Sequence, residues 1–291
     1  MDTQLSLIQP TEIYVSGNSS YSQEILLNMW LHGKSLTTQK AYKRIAQRFL
    51  SLVSVGLDSI GLIHLQMFSD SLGGLSKNSQ KTYVCVVKSL ISFLHNLGLT
   101  KANVGKALPA PKGTDALNER ILTTEEITAL IDAAGSDRDK LIIKTLYFLG
   151  LRASELAGIQ WKDCVQRKSG GQIQVTGKGS KVRVVLVPES LWTEIESLPR
   201  NDSDYLFQSR KGSGKLDPSA IWRIVKNAAQ KIGLNNLSPH WLRHSHASHS
   251  LDSGCPIHLL SASLGHASVA TTSRYLHARP NESSSLFLSV G

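Results

Sequence analysis

The sequence predicts a mainly α-helical fold with a small antiparallel β-sheet, an α+β class, divided between two domains. Three observations carry this. Apolar residues recur at helical spacing over most of the chain, the mark of helices that bury one face. One pair of alternating or β-branched stretches, 172–176 and 182–187, flanks Gly177-Lys178-Gly179-Ser180-Lys181 and reads as a hairpin. A segment with two prolines and a glycine, 106–117, breaks the helical pattern and reads as a linker.

Residues 1–20 are polar and irregular and are expected to form a flexible N-terminal arm. Residues 21–105 read as a bundle of about four helices. Ile25, Leu26, Met29 and Trp30 mark the first. Tyr42, Ile45, Phe49, Leu52 and Val53 mark the second, with Lys40, Lys43, Arg44 and Arg48 around them. Residues 58–72 give a shorter third. Residues 78–97 give a long fourth, carrying Tyr83, Val86, Val87, Leu90, Ile91 and Leu94 and stopped at Gly98. After the linker, residues 118–280 form the second domain. Thr123-Thr124-Glu125-Glu126 is a capping box that opens a helix. A helix over 137–149 stops at Gly150, the hairpin follows, and helices resume near 189–197, 218–231, 239–252, 257–263 and 268–277. Residues 281–291 are left as a tail.

The chain of 291 residues carries 32 Lys+Arg against 22 Asp+Glu, a formal charge of +10. That balance favours a polyanion partner, nucleic acid before anionic membrane. Residues 1–112 hold 11 basic and 5 acidic residues, +6, and the longer remainder holds 21 and 17, +4. The smaller first domain is therefore expected to grip a phosphate backbone, with Lys40, Lys43, Arg44, Arg48, Lys77, Lys81 and Lys88 as candidate contacts. Cys85, Cys164 and Cys255 form no CxxC pair, which argues against a disulfide framework or a cysteine zinc site. The first residues lack a basic region and a long apolar core, and no apolar stretch approaches ~20 residues. A cytoplasmic, nucleoid-associated protein is the expectation.

Chemistry-bearing residues gather near the end of the chain. Ser238-Pro239 opens a helix as N-cap and first residue. His240 and Arg243 then share its first turn, where free N–H groups and the helix dipole favour a phosphate. The plainer reading is a capping histidine and a surface arginine. Arg152 follows the helix-ending Gly150 and is either structural or a second phosphate fork. Glu155 either holds an arginine or complements a helix dipole. Lys178, at the hairpin tip, is a solvated turn lysine or a mobile acid for a leaving oxygen. His266 follows Leu264-Gly265, and Tyr275 lies nine residues on, a core aromatic or a nucleophile. His240 and His244 are four apart and invite a zinc reading, yet no carboxylate lies within 238–251.

Taken jointly, these segments resemble the tyrosine recombinases, or phage-type integrases, nearest to Xer-like chromosome-dimer resolvases and short integrases. Gly150–Leu156, Thr176–Arg183, His240–Ala247 and Leu264–Tyr275 look like the family's four motif regions in order and spacing. The resemblance implies a helical core-binding domain and a catalytic domain of the DNA breaking-rejoining fold, clamping duplex DNA. It implies that Tyr275 attacks the scissile phosphate, leaving a 3′-phosphotyrosyl bond and a free 5′-hydroxyl. By the same likeness Arg152 and Arg243 bind the non-bridging oxygens and His240 assists the nucleophile. Lys178 protonates the 5′-oxygen, His266 hydrogen-bonds the phosphate and Glu155 supports the first arginine. No metal, cofactor or ATP is implied. A homotetramer on two duplexes is expected, with a second recombinase or accessory factor as a possible partner. Asn103-Val104 departs from the Asn-Pro frequent in the family. Leu286, Phe287 and Leu288 in the tail are the expected anchor on a neighbouring protomer. Two other classes compete: a DNA-binding protein on this fold without catalysis, and a metal-dependent nuclease using the histidine cluster.

Overall fold

A computed structural model describes residues 12–15, 19–113, 121–200, 204–209, 214–235, 237–266, 268–273 and 275. The chain divides into two compact units, Met1–Asp115 and Ala116–Gly291. The expected tail, with Leu286, Phe287 and Leu288, lies outside the described residues.

In the first unit, β1 (Glu12–Val15) and β2 (Ser19–Ser22) pair antiparallel. An irregular arm through residue 20 is the sequence expectation, and these strands correct it. Ile13, Tyr14 and Val15 are residue types that favour the pleated backbone. Four helices follow: α1 (Gln23–Leu31), α2 (Leu36–Val53), α3 (Leu62–Asp70) and α4 (Lys77–Asn96). Serines open three of them. Ser22, Ser35 and Ser76 accept from the N–H groups of Ile25, Thr38 and Ser79, satisfying donors that a helix start leaves free. The core is built on Phe49 and Phe68, edge to face at 5.3 Å, with Leu65, Leu90, Ile91 and Leu94 around them. The buried face of α1 is Leu26, Leu27, Trp30 and Leu31, while Ile25 and Met29 are exposed. The apolar run there is wide enough that spacing alone selects the wrong edge of the stripe. Leu52 is likewise exposed. Of the expected linker, residues 106–113 are described. Leu108 is buried in the first unit's core, and Lys88 donates to its carbonyl.

The second unit begins with α5 (Thr124–Asp132) and α6 (Asp137–Phe148). The capping box closes as its sequence predicts: the Thr123 hydroxyl accepts from the Glu126 N–H, and the Glu126 carboxylate from the Thr123 N–H. A short helix, α7 (Ala153–Gly158), precedes a three-stranded antiparallel sheet of β3 (Cys164–Gln166), β4 (Gly171–Thr176) and β5 (Val182–Val187), in that order. The hairpin is the β4–β5 pair, with Val175 opposite Arg183. Strand β3 is an addition that three residues are too short to announce. Then come α8 (Glu189–Glu196), α9 (Pro218–Lys231), α10 (Pro239–Asp252), α11 (Ile257–Leu264) and α12 (Val269–Ser273). Ile142, Leu146, Leu156, Ile173, Val175, Phe207, Ile221 and Leu242 are among the residues that fill the core between sheet and helices. A smaller cluster of Ile121, Ala247, Leu260, Leu264 and Tyr275 lies under the candidate site. No helix among the described residues is long and apolar enough to cross a membrane.

Candidate active site

The site is assembled where α6, α10 and α11 end or begin. Chain reversals at two glycines shape it. Gly150 (φ +59°) ends α6 and Gly265 (φ +63°) ends α11, both in the left-handed region that favours glycine. A Cβ on Gly150 would lie 2.6 Å from the His246 ring, and one on Gly265 would lie 3.1 Å from the Arg183 side chain. The carbonyls beside these turns are used. Arg243, the fifth residue of α10, donates from Nη1 to the Gly150 oxygen and from Nη2 to the Leu264 oxygen, each at 2.6 Å. Its guanidinium is nearly buried. Burial, and the nearby charge of Arg152, pull its pKa down to about 10.

Glu155, in the first turn of α7, is the counter-charge. Its side chain is 2% exposed. It accepts from the Arg152 N–H at 2.9 Å and from Arg152 Nη1 at 2.7 Å. Arg183 meets it with a two-point fork, Nη1 at 3.1 Å and Nη2 at 2.9 Å, while its Nε donates to the Ser263 oxygen at 2.7 Å. Arg243 Nη1 lies 3.7 Å from the same carboxylate. Three guanidinium groups thus share one carboxylate, leaving two positive charges uncompensated within this cluster. Such an arrangement attracts an anion of matching charge and fork geometry.

A pocket of about 180 Å³ opens beside this cluster, lined by Arg152, His240, Arg243, His244, His266, Thr271 and Tyr275. Tyr275 is 6% exposed and sits in a turn just past α12, not within a helix as its spacing predicts. Its hydroxyl is 2.8 Å from Nδ1 of His244. His240, one turn earlier on α10, is exposed. Ser238 is the α10 N-cap by position but makes no side-chain cap bond. His266 Nδ1 is 2.8 Å from the Thr272 hydroxyl. Burial first, then the charges of Arg243, Arg152 and Arg183, push the His266 pKa down to about 4. The ring is therefore neutral at pH 7. One ring nitrogen of the neutral imidazole carries the proton, so beside its bond to Thr272 the ring has a second nitrogen for a further hydrogen bond.

The "Phage integrase family" profile matches residues 120–282, more than half of the chain. This chain belongs to the phage integrase family. Tyrosine recombinase XerA of Pyrococcus furiosus is 35% identical to it over 269 residues, 88% of this chain and 89% of that protein. The solved structure of XerH site-specific recombinase bound to its difH substrate matches with a TM-score of 0.67 at 25% identity, covering 83% of this chain and 76% of that one. A lambda integrase dimer bound to a COC′ core site matches with a TM-score of 0.75 at 17% identity, covering 89% and 95%, a likeness of fold. The protein is a tyrosine-type site-specific recombinase, an enzyme that cuts and rejoins DNA.

Five of the six catalytic candidates of this recombinase, Arg152, His240, Arg243, His266 and Tyr275, line one pocket, with Glu155 behind it. The sixth, Lys178, has its backbone in a 3-10 turn at the hairpin tip, Lys178–Ser180, and its side chain lies outside the described residues. For two residues the sequence alone does not indicate the partner. Arg183 shares its strand face with buried Val185 and Val187, and a charge in phase with core valines must have a partner inside. His244 was visible only as a possible metal ligand. Among the candidate DNA contacts, Lys40, Arg44, Arg48, Lys77 and Lys81 are exposed. Lys43 pairs with Glu24 at 3.0 Å, and Arg48 lies over the Tyr83 ring.

The Glu155 cluster predicts a pH dependence of stability. Burial alone would raise its pKa. The Arg183 hydrogen bonds, the Arg152 N–H, the Arg183 charge and the Arg152 side chain outweigh burial and hold it at about 2, against an ordinary 4.5. The folded value is depressed, so the stabilisation is complete above pH 4.5 and is lost as pH falls toward 2. The shift corresponds to roughly 3 kcal/mol. Urea unfolding between pH 6 and pH 3 should show a loss of about 2 kcal/mol, the rest being lost below pH 3, that Glu155→Gln lacks. Equal acid sensitivity in both proteins would contradict the assignment.

Proposed function

We propose that Tyr275 is the nucleophile of this recombinase and that the Arg152–Arg243 pair receives the scissile phosphate. The observation that carries the reading is the under-neutralised arginine cluster opening onto a buried tyrosine hydroxyl. Oη attacks phosphorus and displaces the 5′-oxygen, so the DNA 3′ end is held as a phosphotyrosine. Arg152 and Arg243 stabilise the charge that builds on the non-bridging oxygens. Neutral His266 adds a hydrogen bond, and His240 borders the phosphate. Lys178 delivers the proton to the departing 5′-oxygen. The partner strand's 5′-hydroxyl reverses the chemistry. The phosphodiester bond energy is kept in the enzyme linkage, so strand exchange needs no ATP.

The partner under this reading is duplex DNA carrying a specific site, in keeping with the DNA complexes of XerH and lambda integrase. The exposed bases on α2 and α4 grip the phosphate backbone of that duplex, an interaction that weakens steeply with salt. Exchange between two duplexes requires four cuts, which a closed ring of four head-to-tail protomers supplies. The tail 281–291 is the segment we assign to the link between neighbours. Chromosomal DNA as substrate implies a cytoplasmic, nucleoid-associated setting. The test is to lyse expressing cells in denaturant, capture this protein and sequence the DNA still attached. One short site of inverted symmetry, with protein-blocked 3′ ends, is the expected result. Blocked 5′ ends would reverse the assigned polarity, and random sequences would refute site specificity.

A further inference from the structure

We infer that His244 is a base that takes the proton from Tyr275. The inference rests on Tyr275 being the nucleophile and adds a catalytic residue to that reading. Its ground is geometric. Nδ1 of His244 and the phenol oxygen are 2.8 Å apart, a full hydrogen bond. The two rings pack at a centroid distance of 5.6 Å and an angle of 46°, so the contact has a fixed direction. His244 is half-buried at the pocket floor, whereas His240 is exposed, with its ring centroid 6.4 Å from that of His244. The position follows from the helix. Arg243 is held by two carbonyls, and the next residue on α10, His244, lines the same pocket as Tyr275.

The chemistry requires such a group. A phenol holds its proton until pH ~10, and an imidazole titrates near 6.5, in reach of neutral conditions. Arg243 interacts electrostatically with the Tyr275 hydroxyl, and a nearby guanidinium favours phenolate. In the forward step Oη bonds to phosphorus as the bond from phosphorus to the 5′-oxygen breaks. Nδ1 takes the phenol proton, and the 5′-oxygen takes one from the acid assigned to Lys178. In the reverse step the 5′-hydroxyl gives its proton back to the lysine. The His244 imidazolium returns its own to Oη as the phosphotyrosine breaks. Each group begins and ends the cycle in the same state.

The test uses the full chain on a nicked suicide duplex built from the mapped site. His244→Asn keeps a hydrogen-bonding group near the Nδ1 position but cannot accept a proton. Its covalent complex should form roughly 10²-fold more slowly or worse. Placing a trifluorotyrosine at position 275, whose phenol is far more acidic, should shrink the gap between the parent protein and His244→Asn to within about threefold. A 5′-bridging sulfur, which leaves without a proton, should rescue Lys178→Ala and leave His244→Asn impaired. A wild-type rate in His244→Asn overturns the proposal. So does a defect that the acidic tyrosine leaves unchanged, which would mark a merely structural role, or one that sulfur relieves. If instead Tyr275→Phe still forms the complex, the nucleophile assignment itself has failed, and the base falls with it.

Discussion

Tyr275→Phe is expected to bind the recombination site as well as the parent protein and to form no covalent complex with a nicked suicide duplex. The loss should be roughly 10⁴-fold or more, the scale on which removal of a nucleophile acts. The ring should keep its place. It packs with Ala247, Leu260 and Leu264, contacts that phenylalanine repeats. What disappears is the hydroxyl and its 2.8 Å approach to His244. Band-shift affinity and melting temperature should therefore move little while the adduct, read on a denaturing gel, vanishes. An adduct that survives would shift the search to another side chain in the pocket.

Arg243→Lys should lose far more activity than affinity. Lysine keeps the charge that attracts DNA but lacks the planar fork. A fall in cleavage of about 10²–10³-fold is expected, comparable to the loss of one donor at a developing oxyanion. DNA affinity should drop only a few-fold. The structure adds a second consequence. Arg243 also satisfies the Gly150 and Leu264 carbonyls, and one ammonium on a shorter reach leaves at least one of them short of a donor. A stability loss of about 1–3 kcal/mol should accompany the variant. Comparable losses of cleavage and affinity would count against a role in the transition state.

Much of this was legible in the residues, and the exceptions have physical causes. The Thr123–Glu126 capping box, the helix stops at Gly98 and Gly150, and the β4–β5 hairpin are written in local chemistry, which the sequence displays directly. The strand β3 and the helix α7 are too short for a period to emerge. The exposed Ile25 and Met29 show that an apolar run fixes a helix but not which edge of its stripe is covered. Around the pocket, Arg152, Arg243, His266 and Tyr275 are legible as candidates because each sits in a recognisable local setting. The pairings of Arg183 with Glu155 and of His244 with Tyr275 are not, because the partners are distant in the chain. Arg183 reaches Glu155 and Ser263, 28 and 80 positions away, and His244 reaches Tyr275 across 31. Pairings of that kind are products of the fold.

The two carbonyl tethers on Arg243 bear on where control over cleavage can lie in the proposed reaction. A free arginine would surrender about 2 kcal/mol of rotamer freedom whenever it organised around a phosphate. Here that ordering is already complete in the free protein, because the backbone of α6 and α11 holds the side chain in place. The cationic half of the proposed machinery is thus ordered before any duplex arrives. Restraint against stray nicks must reside in the other half: in when the phenol is presented and relieved of its proton, a decision that can be tied to a correctly assembled synapse.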